Sequence, residues 1–181
     1  MGSYRAGMLA MLLLLPGCTA QDQETAAGEQ DTIPAIAQLK QAVAADSTNW
    51  ERHVALSAEL RRNGRAEEAS VAAQRAYLLA PEPGIDARLE MAKVFAAAEQ
   101  PASAINLVKE VEKKKREGTP ADEVKIAEVY AVLGDPNSVF RWLERAVTAG
   151  SPNLAGLPNN PEFAGVRSDP RWQDILARMA P

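Results

Sequence analysis

The chain holds a single cysteine and a single histidine among 181 residues, and aromatic residues make up only 5% of it. One cysteine excludes an internal disulfide. One histidine, His53, excludes a zinc site built from several histidines. A hydrolase triad would have to recruit that same residue, and no Gly-x-Ser-x-Gly elbow is present to hold its nucleophile. Glycines are too dispersed for a phosphate-cradling loop, so neither catalysis nor a cofactor is expected. Excess positive charge is missing as well: the formal net charge is −4 and the isoelectric point about 5.2, which argues against a nucleic-acid partner. Runs of β-branched residues are scarce and alanine is abundant, so the expected fold class is all-α, with helices packed closely through small side chains.

What is present begins with an address. Arg5 is followed by an unbroken apolar run from Met8 to Leu15, then Pro16, Gly17 and Cys18. This is the three-part layout of an export signal, and its apolar stretch is about half the ~20 residues that a bilayer-spanning helix needs. Leu15-Pro16-Gly17-Cys18 resembles the lipobox of bacterial lipoproteins. The resemblance implies lipidation of Cys18, removal of residues 1–17 as a signal peptide, and a lipid-anchored position in the bacterial cell envelope. Pro16 departs from the Ala, Ser or Thr usual at that place. Thr19, where Asp accompanies inner-membrane retention, implies the outer membrane, facing the periplasm. Residues 18–32 are polar and acidic, and read as a disordered tether with too little apolar surface to offset the entropy of ordering.

From residue 33 to 151 the sequence repeats itself. Ala35, Leu39, Ala42 and Val43 recur as Ala69, Ala73, Ala76 and Tyr77, then as Ala104, Val108 and Val111, and again as Val139, Leu143 and Ala146. Between these stretches lie others with apolar residues at three- and four-residue spacing, over Trp50 to Arg62, Ile85 to Ala98 and Ala121 to Leu133. Each period of about 34 residues therefore predicts two antiparallel helices, with turns at Asn63-Gly64, Gln100-Pro101 and Gly134-Asp135-Pro136. Residues 50 to 83 carry the pattern most plainly: Leu56 and Leu60, Gly64 at the turn, Ala69 and Ala76, and Pro81 at the close.

This layout resembles the tetratricopeptide repeat. It implies a helical solenoid of about three repeats plus a half repeat, although His53, Ser57 and Val139 depart from the residues usual at their places. The C-terminal stretch, through Arg167-Ser168-Asp169-Pro170-Arg171, is similar to the tail of a broad group of bacterial tetratricopeptide proteins. Residues 152–181 are thus expected to form a capping segment and helix, with Asp169 as N-cap, Pro170 at the first position, and Trp172, Ile175, Leu176 and Met179 as one apolar stripe.

By the repeat register, the first helix of each pair lines a concave wall. The candidate groove residues are Glu51, Val54, Ala58, Arg61 and Arg62 in the first full repeat, Leu89 and Lys93 in the second, and Val124, Glu128 and Val132 in the third. Val54 and Ala58 replace the lysine and asparagine of the chaperone-type carboxylate clamp, which argues against capture of a C-terminal carboxylate in that mode. Glu67-Glu68 and Glu110-Glu112 are expected on solvated helix faces. Lys113-Lys114-Lys115-Arg116 is expected to close a helix against its negative pole, the sharper alternative being contact with anionic lipid or an acidic partner. The resulting expectation is a non-catalytic adaptor that binds a protein partner of an envelope assembly. The alternative is a periplasmic sensing module that binds a regulator or small ligand.

Overall fold

A computed structural model describes residues 33–80 and 82–179. Cys18, the signal and tether, and Pro81 lie outside the described residues. Among the described residues there is no strand, and no helix is long and apolar enough to cross a membrane. The chain runs through α1 (Pro34–Ala45), α2 (Trp50–Arg62), α3 (Ala66–Leu79), α4 (Ile85–Ala97), α5 (Pro101–Arg116), α6 (Glu123–Val132) and α7 (Pro136–Ala149). Two 3-10 segments, Pro152–Asn159 and Pro161–Val166, then lead to α8 (Pro170–Met179).

Helix starts follow from local chemistry. Proline stands at the opening of α1, α5 and α7, where its missing N–H is no loss. Asn49 caps α2 by accepting from Arg52 N at 3.2 Å, and Asp135 caps α7 by accepting from Ser138 N at 3.1 Å. Asp122 Oδ1 accepts from Val124 N at 2.8 Å and Lys125 N at 3.2 Å, so α6 begins after Asp122 rather than at Ala121 as its apolar spacing predicts. Asp169 takes the N-cap role expected of it, accepting from Arg171 N at 3.0 Å.

The ends of α2, α4 and α6 share one geometry. Arg65, Gln100 and Asp135 each donate their N–H back to a carbonyl five residues earlier, of Leu60, Phe95 and Tyr130 respectively. The residue before each donor is left-handed: Gly64 at φ 74°, Glu99 at φ 57° and Gly134 at φ 71°. Glycine accepts that conformation without strain, whereas Glu99 places a Cβ where it is unfavourable. The middle hairpin therefore closes by the same turn as its neighbours without the residue type that signals it.

α2 packs on α3, α4 on α5, and α6 on α7, forming three helical hairpins. The first helices touch in series, α2 on α4 and α4 on α6, while α1 covers α2. Small side chains allow the close approach: Ala69, Ala72, Ala73 and Ala76 on α3 are all buried, as are Leu56 and Leu60 of α2, the helix packed on it. The last helix, α8, packs on α7 and buries Trp172 and Ile175, with Leu176 and Met179 half-buried beside them. Trp172 meets Phe163 of the second 3-10 segment at a ring distance of 5.8 Å. Burial of these side chains, at about 1.5 to 3 kcal/mol each, attaches the C-terminal segment to the helical hairpins.

Candidate functional site

The 3-10 segments do more than cover an end. They run back along α6, and the second of them reaches the C-terminal end of α2. A cleft of about 390 Å³ remains between them and helices α2, α4 and α6. Arg61 and Arg62 of α2, Glu90 and Lys93 of α4, and Val124, Lys125 and Glu128 of α6 line one side. Asn153, Asn160 and Glu162 of the 3-10 segments line the other.

Two linked sets of polar contacts hold these walls. Lys93 Nζ lies 2.9 Å from Glu128 Oε2 and 2.7 Å from Glu90 Oε1. Lys93 and Glu128 are 35 residues apart, so the neighbouring helices α4 and α6 carry opposite charges where they face each other. The other oxygen of Glu128 accepts from Asn160 Nδ2 at 2.8 Å, while Asn160 Oδ1 caps the second 3-10 segment by accepting from Glu162 N at 3.0 Å. Glu162 then accepts from Arg61 through both carboxylate oxygens, at 2.5 Å from Nη2 and 3.3 Å from Nη1. Burial alone would push the Lys93 ammonium pKa down, but Glu128 and Glu90 outweigh it, and the pKa is raised above the ordinary lysine value. A lysine whose side chain is only 7% exposed stays charged because both carboxylates face it.

Of the expected groove residues, the structure brings Arg61, Arg62, Lys93, Val124 and Glu128 together in this cleft. Ala58 and Leu89 are buried in the packing between helices instead, and Val54 is half-buried against the same core. Glu51 is exposed outside the cleft, and Val132 is half-buried at the end of α6. Val124, only 1% exposed, forms an apolar floor. Asn160 and Glu162 were not among the residues expected to matter. The sequence signal for them is the Asn-Pro-Glu start of a capped turn, which says nothing of where that turn docks.

Other singled-out residues have structural partners. His53 is buried, with Nε2 donating to the Ser47 carbonyl at 3.0 Å and tying α2 to the preceding loop. Glu112 is half-buried rather than solvated: it accepts from the Tyr130 hydroxyl at 2.7 Å. Burial, followed by that carboxylate, raises the tyrosine pKa. The lysines of the basic run pair with Glu117, Glu82 and Glu123, at 3.8, 2.8 and 2.6 Å respectively. Among the described residues no group of three or more His, Cys, Asp or Glu side chains is placed to hold a metal ion.

Two polar atoms at the cleft, Arg61 Nε and Glu90 Oε2, are shielded from solvent and have no hydrogen-bond partner among the described residues. An unmet donor and an unmet acceptor at one concave place are complementary to a group that offers both, such as a peptide bond or water. No protein-family model, no curated protein and no solved structure matches the chain.

Proposed function

We propose that the chain is a tetratricopeptide-type solenoid acting as a non-catalytic interaction scaffold in a bacterial envelope, anchored by lipid on Cys18. In this reading a protein partner engages the inner cleft along α2, α4 and α6. The three hairpins stacked through their first helices, at intervals of about 35 residues, support the repeat assignment. One observation carries the binding reading: α2 and α6 already hold a short, irregular polypeptide stretch beside the cleft, gripped by the Arg61–Glu162 and Glu128–Asn160 contacts. A surface that takes one such stretch of its own chain has the chemistry to take another from a partner.

The second reading, a sensing module for a small polar ligand, is favoured by the unmet Arg61 Nε and Glu90 Oε2 beside a space of about 390 Å³. Membrane fractionation and affinity capture of the native chain, Cys18→Ser and Arg62→Glu/Lys125→Glu separate the two. The scaffold reading expects membrane-bound native protein with one reproducible protein partner, a soluble or unprocessed Cys18→Ser chain, and loss of the partner from the double variant. Capture of the same proteins by the double variant would refute the cleft as the partner's site.

A further inference from the structure

A second concave site lies where the C-terminal end of α5 meets α7. This cleft of about 490 Å³ is lined by Glu112, Lys115, Arg116, Arg141, Trp142 and Arg145. Two of its charges are satisfied elsewhere: Glu112 holds the Tyr130 hydroxyl, and Lys115 is paired with Glu123. The three arginines differ from them, since Arg116, Arg141 and Arg145 have no ion-pair partner among the described residues. Arg141 donates to Ser138 Oγ at 3.0 Å and is near enough to Asp135 to help lower its pKa, and the Arg145 guanidinium stacks 4.6 Å above the Trp142 ring centroid. An adjoining depression is lined by Arg141, Arg145 and Arg178 of α8 together with Glu123 and Glu144, so the excess of positive charge is confined to the first cleft.

Arg116, Arg141 and Arg145 are exposed and gathered at one concave place, so their guanidinium donors are available to an anion from solution. A second and independent feature is Trp142 itself. It is 4% exposed, and its Nε1–H is shielded from solvent with no acceptor among the described residues, although buried indole N–H groups ordinarily find one.

We propose that this cleft binds a phosphate group, with Arg116, Arg141 and Arg145 as its ligands and Trp142 as the wall that orients Arg145. Three guanidiniums from two helices offer more donors than the two oxygens of a carboxylate can accept, whereas a phosphate presents its oxygens in several directions. The volume suits the headgroup of an anionic phospholipid or a small soluble organic phosphate. Stacking on Trp142 pre-organises Arg145, which reduces the ordering cost on binding. The site is separate from the inner cleft and does not depend on it.

The test uses the full chain carrying Cys18→Ser, so that no acyl chain contributes, and compares it with Arg116→Gln/Arg141→Gln/Arg145→Gln and with Arg75→Gln as an exposed control on α3. Helicity and thermal midpoint are checked for each. Calorimetric titration with inorganic phosphate at low ionic strength is expected to show saturable binding, weakened about tenfold or more in the triple variant and unchanged in Arg75→Gln. Co-sedimentation with vesicles of phosphatidylglycerol and phosphatidylcholine in equal parts, against phosphatidylcholine alone, identifies the source. An arginine-dependent excess on the anionic vesicles assigns a lipid headgroup, and phosphate binding without that excess assigns a soluble phosphate. Should the triple variant misfold, Arg116→Gln alone, at the exposed helix end, is expected to weaken phosphate binding by about threefold or more. Absence of saturable phosphate binding together with no anionic excess, or equal binding by folded arginine variants, would overturn the proposal.

Discussion

Arg61 and Glu162 lie 101 positions apart in the chain and meet in a two-point ion pair, fastening the C-terminal segment to the end of α2. The Arg61 side chain is 10% exposed, so its charge has little water to fall back on. Replacing Glu162 by alanine is expected to cost about 1 to 3 kcal/mol in denaturant unfolding, because a largely buried guanidinium loses its carboxylate. The same change is expected to free residues 150–166, seen as faster cleavage there by a non-specific protease under native conditions.

The helices themselves were legible in the sequence, and the docking of that segment was not. Leu56, Leu60, Ala69 and Ala76 announce their faces by spacing, and Gly64 and Gly134 announce their turns. Pro152, Pro158, Pro161, Gly156 and Gly165 break any period through the 3-10 segments, whose position depends on ion pairs made far along the chain. Arg61, Arg62, Lys93, Val124 and Glu128, expected together on one wall, line one cleft, because three- and four-residue spacing along each helix fixes direction. Depth it does not fix: Ala58 and Leu89 point the same general way and are covered by neighbouring helices.

Lys93 supplies a test of the buried network. Lys93→Met is expected to cost about 3 kcal/mol, since Glu90 and Glu128 are left facing each other without a cation, and Lys93→Met/Glu128→Met is expected to regain part of that loss. The raised Lys93 pKa adds a pH dependence. Its stabilisation is complete below the unfolded lysine value of about 10.4 and is lost as pH rises through the higher folded value. Unfolding curves across about pH 9 to 11.5 should show an alkaline decline in the native chain that is smaller in Lys93→Met.

At the acid end Asp135 acts in the opposite sense. Hydrogen bonds from the Ser138 side chain and backbone hold its pKa below the ordinary carboxylate value. Its contribution is therefore present above about pH 3.9 and disappears as pH falls through the lower folded value. Asp135→Ala removes the acceptor that caps α7 and is expected to cost about 1 kcal/mol near neutral pH, while Asp135→Asn retains most of it. Thermal midpoints of the two variants measure the difference.

Glu99 offers a gain instead of a loss. It occupies the left-handed turn position filled by Gly64 and Gly134 in the neighbouring hairpins. Glu99→Gly is expected to stabilise the chain by about 0.5 to 1 kcal/mol, the relief of backbone strain exceeding the added freedom of the unfolded glycine. Glu99→Ala, which keeps the Cβ, should bring no such gain in the same unfolding measurement.

The inner cleft as a receptor for polypeptide is the central claim, and a photo-crosslinking residue at Arg62 tests it most directly. Arg62 is exposed and lines the cleft, whereas Arg75 is exposed on α3, outside it. In cells making the full chain, crosslinks from position 62 to one reproducible partner are expected, with none to that partner from position 75. Combining the probe with Glu162→Ala should increase the yield, because the chain's own segment no longer holds the place. Equal crosslinking from both positions, or no partner at position 62 with or without Glu162, would contradict the account.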